Sequence, residues 1–258
     1  MREMTTRFHD HFSQQAPEYA RYRPVYPASL VEFLASLTAE HRAAWDCGTG
    51  SGQAAELLAE AFTHVYATDP SAAQLAQARP HPRITYRCGR ESDSGLADDS
   101  VDLVTAAQAA HWFDLPAFYR EAERVLRPGG VIAVWCYALP QISPEIDRVV
   151  ERFAHQRVGA HWPAGREYVD AEYANLPFPC HRLPVPPLAY AASLDRTEFL
   201  GYVGTWSAVV RCRETEEVDP LAELTRDLEP LWRVPDQRHL VRWPLHVVVG
   251  RPGGPGMK

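Results

Sequence analysis

The chain has 258 residues, 46% of them apolar, and a net charge of −7 with histidine neutral. That length and apolar content allow one large domain with a sizeable core, and the acidic balance argues against nucleic-acid binding, which calls for a basic face. No apolar run reaches the length of a membrane span, no signal-peptide pattern opens the chain, and the scattered Cys47, Cys88, Cys136, Cys180 and Cys212 read as reduced thiols of a cytoplasmic protein.

Residues 6–27 place Phe8, Phe12, Tyr19, Tyr22, Arg23, Tyr26 and three prolines ahead of any core strand. Such a segment either packs on the domain surface or forms a lid over a ligand, with Tyr19, Tyr22 and Arg23 turned inward. The planar fork of Arg23 suits a carboxylate. Leu30, Val31, Phe33, Leu34 and Leu37 then predict a helix. Ala43 to Trp45 end a buried strand, Asp46-Cys47-Gly48-Thr49-Gly50-Ser51-Gly52 forms a glycine loop, and residues 54, 57, 58 and 61 mark the apolar face of a following helix. A strand, glycine loop and helix in series let a ligand approach bare backbone and free N–H groups. A dinucleotide fingerprint would want its third glycine where Gln53 stands, so the spacing disfavours a dehydrogenase. His64 to Asp69 reads as the second strand, and Asp69 at its tip can accept both hydroxyls of a ribose. Asp69-Pro70-Ser71 can equally cap a helix over Ala72 to Ala78.

Ile84 to Cys88 is a third strand, followed by Gly89-Arg90-Glu91, and Val101 to Ala106 is a fourth. Ala107-Gln108-Ala109-Ala110-His111-Trp112-Phe113-Asp114 leaves its carboxyl end, where open α/β sheets bind ligands. His111 and Trp112 there face the reaction space, although a histidine among aromatics is also a common structural feature. Asp114 caps a helix with Pro116 in its first turn and Leu115, Phe118, Ala122, Val125 and Leu126 on its buried face. A stop at Arg127 to Gly130 precedes a fifth strand, Val131 to Trp135. Five strands with intervening helices predict a parallel α/β sheet. Beyond it come a helix from Ser143-Pro144, proline-rich loops with one short strand near 181–188, a helix from Asp195 carrying Phe199, Tyr202, Val203 and Trp206, a helix from Asp219-Pro220, and a strand over Val241 to Gly250 with Pro244 marking a bulge or edge. The tail after Gly250 is expected to be disordered. His9 with His11, and His155 with His161, have no cysteine or carboxylate at ligand spacing, so no metal site is expected.

The pattern Asp46-x-Gly48-x-Gly50-x-Gly52 resembles the first motif of the class I S-adenosylmethionine-dependent methyltransferases, and the match spans roughly residues 40–137. Tyr22-Arg23-Pro24-Val25-Tyr26-Pro27, Ala107 to Asp114, Arg124 to Gly130, Thr205-Trp206-Ser207 and Trp243-Pro244-Leu245 are similar to the small-molecule branch that includes trans-aconitate methyltransferase-like proteins. The resemblance implies a Rossmann-like fold, a seven-stranded mostly parallel sheet with an antiparallel last strand and helices on both faces. It implies one domain over 1–250, with a lid at 1–30, a cofactor core at 40–137, an acceptor-side elaboration at 138–238 and a tail at 251–258. The cofactor would be S-adenosylmethionine, held by Asp46, Gly48, Gly50, Gly52, Asp69, Glu91 beside the adenine, Gln108 beside the methionine part, and Tyr19 and Arg23. Methyl transfer is an in-line displacement in which the enzyme positions the acceptor and excludes water. A carboxylate acceptor needs no base; for a hydroxyl, His111 and Tyr22 are the candidates. Arg23 would suit an anionic small-molecule acceptor, and Trp112, Trp162 and Trp206 would wall an apolar pocket. Base methyltransferases are disfavoured, because Asn/Asp-Pro-Pro-aromatic is missing after the fourth strand and Pro179-Cys180 lies beyond the fifth. The alternative from another class is a non-catalytic S-adenosylmethionine-binding protein, whose acceptor side would be blocked where His111 and Trp112 should line a cavity.

Overall fold

Every residue of β1 (Ala43–Cys47) is buried, as a strand covered on both faces must be. A computed structural model describes residues 26–253 and places β1 inside the sheet. The other strands are β2 (His64–Asp69), β3 (Ile84–Cys88), β4 (Val101–Ala107), β5 (Leu126–Tyr137), β6 (Cys180–Arg182), β7 (Leu188–Leu194) and β8 (His239–Pro252). Their order is β3-β2-β1-β4-β5-β8-β6, with β7 also paired to β8. Strands β1 to β5 are mutually parallel. β8 enters antiparallel to β5, from Ile132 opposite Gly250 to Tyr137 opposite Leu245.

The seventh position of the sheet is shared. β7 pairs with the first half of β8 and β6 with its end, both on the edge away from β5. The sheet therefore counts eight strands, and the single short strand expected near 181–188 is two strands flanking that stretch. Pro184, Pro186 and Pro187 supply no backbone donors, so the edge breaks there. Pro244 falls one residue outside the ladder to β5.

The helices are α1 (Ala28–Ser36), α2 (Gln53–Ala61), α3 (Ala72–Leu75), α4 (Leu115–Val125), α5 (Pro144–Arg152), α6 (Arg166–Asp170), α7 (Arg196–Gly204), α8 (Ser207–Glu216) and α9 (Leu221–Leu228). Their starts carry the expected caps. Ser71, Asp114, Ser143 and Asp195 accept from the backbone N–H groups of Gln74, Ala117, Ile146 and Glu198, satisfying donors that a helix start leaves open. Asp195 and Glu198 close a reciprocal capping box.

Four boundaries differ from expectation. α3 stops at Leu75, short of Ala78. β5 begins at Leu126, because Arg127 to Gly130 is absorbed through a register shift against β4 instead of forming a separate turn. The helix from Asp195 breaks at Thr205, and Trp206, in extended backbone, starts α8. β8 continues through Arg251 and Pro252, where a disordered tail was expected. Arg251 ties it down by donating to the Gly129 carbonyl and, at 2.7 Å, to the Leu37 carbonyl.

Apolar residues fill both faces of the sheet. Leu34, Leu58, Phe62, Val150 and Phe199 pack with Trp135 on one side; Phe118, Val125 and Tyr173 pack with Trp45 on the other. At the amino end of the sheet, Asp102 joins three strands. Its Oδ2 accepts from the N–H groups of Arg42 (2.7 Å) and Ala43 (2.9 Å), and its Oδ1 from Arg127 Nη1 (2.9 Å). Asp102→Ala strands the buried Ala43 N–H and is expected to cost about 1–3 kcal/mol in urea unfolding. An unchanged midpoint would show that the strands do not depend on this carboxylate.

Candidate active site

β1 delivers the chain into the glycine loop at the carboxyl end of the sheet. Gly48 has φ +69°, and a Cβ there would lie 2.7 Å from the Ala109 Cβ, so only glycine allows the loop to touch the segment leaving β4. The N–H groups of Gly48 and Thr49 both donate to the Thr68 carbonyl, at 2.8 and 3.0 Å. Asp46 sits behind the loop, fully buried. Its carboxylate accepts from Thr49 Oγ1 at 2.6 Å and Thr105 Oγ1 at 2.8 Å. Burial pushes its pKa up to about 6, opposed by the two hydroxyls and aided by the nearby Asp69 charge.

Beyond the carboxyl ends of β1, β2 and β4 lies a cavity of about 920 Å³, with Gly48, Gly50, Asp69, Glu91, Gln108 and His111 in its wall. A Cβ on Gly50 would meet nothing closer than Gln74 Oε1, 3.8 Å away, so a side chain there would take cavity space. Asp69 both lines the cavity and organises the loop: its Oδ2 accepts from Gly50 N and its Oδ1 from Ser71 N, each at 2.8 Å. Glu91 lines the cavity with Oε1 accepting from Asp114 N at 3.3 Å. Asp46 and Gly52 do not line it. The first is enclosed by its threonines, and the second starts α2 beneath the Tyr86 hydroxyl, so both shape the loop from behind. Tyr19, Tyr22 and Arg23 lie outside the described residues.

Gln108 has φ +53°. Its N–H donates to the Trp135 carbonyl at 2.8 Å, and its Oε1 accepts from Tyr137 N at 2.9 Å. The side-chain amide thus extends the β4–β5 ladder by a rung, and its oxygen is already engaged where the chain opens onto the cavity.

A second chamber, about 80 Å³, lies past Gln108 and His111, with Trp112, Trp162, Arg166 and Trp206 among its walls. The Arg166 guanidinium stacks 3.8 Å from the Trp162 ring centroid and pairs with Asp170 at 2.7 Å. Trp162 is fixed by Nε1 donating to the Ala154 carbonyl at 2.9 Å. His111 and Trp112 line both spaces. His111 Nδ1 meets the Tyr173 hydroxyl at 2.8 Å. Burial, reinforced by the Arg166 charge, pulls the His111 pKa down to about 3, so its imidazole is neutral at ordinary pH.

Sequence reasoning missed Arg166, Tyr173 and Arg211, the last in the wall of the larger cavity. The i, i+4 pair of Arg166 and Asp170 was the one available signal of a helix there. Folding brings to His161 the cysteine and carboxylate that sequence spacing did not offer: its ring nitrogen, Cys212 Sγ and a Glu216 oxygen lie within 4.8 Å of one another. The three are brought together by folding across more than fifty residues, beyond any spacing rule. Arg157 supplies the cation in that cluster, 2.8 Å from Glu216 and 3.5 Å from Cys212 Sγ.

A family model described as a methyltransferase domain matches residues 45–134. A Dictyostelium discoideum protein named as a methyltransferase is 32% identical over 235 residues, 90% of this chain and 89% of its own length. The chain belongs to the class I S-adenosylmethionine-dependent methyltransferase superfamily. A solved structure described as a type II methyltransferase from Anaeromyxobacter dehalogenans is similar with TM-score 0.83 and 44% identity, covering 90% of this chain and all of that one. A Saccharomyces cerevisiae protein named as an S-adenosylmethionine-dependent methyltransferase is 31% identical over 136 residues, 49% of this chain and 47% of its own length.

The cofactor of this methyltransferase is S-adenosylmethionine, and the cavity fits it. Bare glycine backbone borders the space that a side chain would fill, and the carboxylates of Asp69, Glu91, Asp114 and Glu167 in its wall suit a sulfonium cation. Among the described residues, no helix is long and apolar enough to cross a membrane.

Because Asp46 has a folded-state pKa near 6 against an ordinary value of 3.8, the folded methyltransferase holds that proton more tightly than the unfolded chain. Stability therefore falls as pH rises from about 4 through about 6. Asp46→Asn keeps the shape without the charge. Urea unfolding is expected to show a gain of up to about 3 kcal/mol at pH 7.5 and almost none near pH 3.5; an equal change at both pH values would contradict this account.

Proposed function

We propose that the enzyme methylates a small anionic molecule on oxygen, as the resemblance to the trans-aconitate methyltransferase-like branch implies. The observation that carries this is the chamber past His111, where Arg166 stacks on Trp162 within an aromatic wall. An aromatic wall with one guanidinium suits a molecule with an apolar body and a negative end.

Bound S-adenosylmethionine supplies a methyl group already activated by the sulfonium. The chain's part is to bind, orient and keep water out. Asp69 takes the ribose, Glu91 the adenine side, and the Gly48–Gly50 backbone the remainder, while Gln108 borders the methionine part. Trp112 and His111 divide cofactor from acceptor. A carboxylate is ionised at neutral pH and needs no base, which accords with a neutral His111 of low basicity; Tyr22 is the other candidate catalytic group. Tyr26 lines the larger cavity; Tyr19, Tyr22 and Arg23 lie outside the described residues, and the roles offered for them rest on the family resemblance alone. The open space beside His111 and Trp112 favours an enzyme over a non-catalytic S-adenosylmethionine-binding protein. The negative net charge is in keeping with a small-molecule acceptor rather than nucleic acid, and the free cysteines with the proposed cytoplasmic location.

The test is a panel of carboxylic acids, phenols and alcohols incubated with enzyme and S-adenosylmethionine. Carboxylic acids are expected to be turned over, and Arg166→Ala should raise their KM by about 10- to 100-fold, as for a lost charged hydrogen bond, with S-adenosylhomocysteine affinity unchanged. Preference for neutral alcohols, or an unaffected KM, would reject the proposal.

A further inference from the structure

We infer that Tyr173 locks His111 in the tautomer that carries its proton on Nε2, so that His111 offers the acceptor a hydrogen-bond donor and not a base. For the identity of the acceptor this rests on the function proposed above; the tautomer itself does not depend on it.

The 2.8 Å contact between His111 Nδ1 and the Tyr173 hydroxyl has two possible polarities. Tyr173 is fully buried, and His111 is the hydroxyl's one hydrogen-bond partner among the described residues. If Nδ1 carried the proton and donated it, the hydroxyl proton would be buried without an acceptor, at about 1–3 kcal/mol. If the hydroxyl donates to Nδ1, both groups are satisfied, and the oxygen remains available to the His111 backbone N–H that faces it. The ring proton then belongs on Nε2. That nitrogen is not among the described polar atoms that are both buried and without a partner, and the ring borders both the larger cavity and the smaller chamber.

The backbone is bent to make this contact. Glu172 and Tyr173 have φ of 56° and 61° in succession, left-handed conformations that cost roughly 1 kcal/mol or more each in non-glycine residues. Three contacts hold the bend: Glu172 N donates to the Val169 carbonyl at 2.9 Å, Tyr173 N to the Tyr168 carbonyl at 2.8 Å, and His246 Nδ1 lies 3.2 Å from Glu172 Oε2. The chain at Gly165, just before α6, packs directly on the His111 carbonyl. The segment from Gly165 to Tyr173 therefore grips His111 from two sides. Strain of this kind persists where surrounding structure over-determines a geometry, which is characteristic of functional sites.

A donor at Nε2 matches an anionic oxygen. It orients a carboxylate while leaving a lone pair for the methyl carbon. In the transfer, that carboxylate oxygen forms the new C–O bond with its own electron pair, the electrons of the S–CH3 bond pass to sulfur, and no proton moves. A hydroxyl acceptor would have to lose a proton that this tautomer cannot take. Tyr173 is thus a positioning residue acting through His111.

The test is 15N NMR of histidine-labelled enzyme with S-adenosylhomocysteine, the His111 signals being assigned by their loss in His111→Gln. The expected result is a proton on Nε2, a bare Nδ1, and no titration between about pH 5.5 and 8.5. In Tyr173→Phe, His111 should become a mixture of tautomers, and the KM of the best carboxylic acid should rise about tenfold with kcat within about twofold. A native His111 protonated on Nδ1, or titrating near an ordinary value of about 6.5, would overturn the inference. So would an unchanged tautomer in Tyr173→Phe. If no carboxylic acid is turned over, the proposed substrate class fails while the NMR result still decides the tautomer.

Discussion

The bare Gly48 backbone lies against the Ala109 Cβ and the Phe113 ring, and the site depends on that contact. The loop after β1 and the segment leaving β4 sit on neighbouring parallel strands, so both emerge at the same end of the sheet. Without a side chain at Gly48 they close to van der Waals range, and the larger cavity opens on one side of the junction with the smaller chamber beyond it. The parallel order of β1, β2 and β4 places Asp69, the glycine loop and His111 together although they are far apart in sequence.

Two devices support that junction from behind at a thermodynamic cost. Asp46 is a carboxylate enclosed by two hydroxyls, and its burial makes the ionised form expensive. Gln108 takes a left-handed backbone conformation and spends its amide on Tyr137, which ends the β4–β5 ladder and turns the chain toward His111. Each opposes stability locally while holding the loop and the β4 exit in a fixed relation. Glu172 and Tyr173 do the same beside His111. Left-handed backbone thus stands at Gln108 in the cavity wall and at Glu172 and Tyr173 beside His111, while Asp99 and Glu217 adopt it away from the cavity.

The first half of the sheet was legible because its signals are local. Alternation of buried strands and amphipathic helices marked β1 to β5, and Ser71, Asp114, Ser143 and Asp195 marked helix starts one by one. Residues of the larger cavity's wall were legible for the same reason: the glycine loop, Asp69 and Gln108 each end or follow a strand with a clear pattern. Legibility failed where geometry is set by distant contacts. Asp46 carried a motif position but is screened by Thr49 and Thr105, a fact invisible without the fold. Arg166 and Tyr173 lie on a five-residue helix and a strained turn, too short for any periodicity. The prolines between β6 and β7, which had no evident purpose in the sequence, divide one edge position into two strands.

The central claim is that the cavity beyond β1, β2 and β4 holds S-adenosylmethionine with Asp69 at the ribose. Calorimetric titration of the native protein and of Asp69→Ala with S-adenosylhomocysteine tests it most directly. The account predicts native affinity on the order of micromolar and a loss of about a hundredfold or more in the variant, as expected when two hydrogen bonds to a charged group are removed. A folded native protein that gives no binding heat, or a folded variant that binds as tightly as the native one, would contradict it.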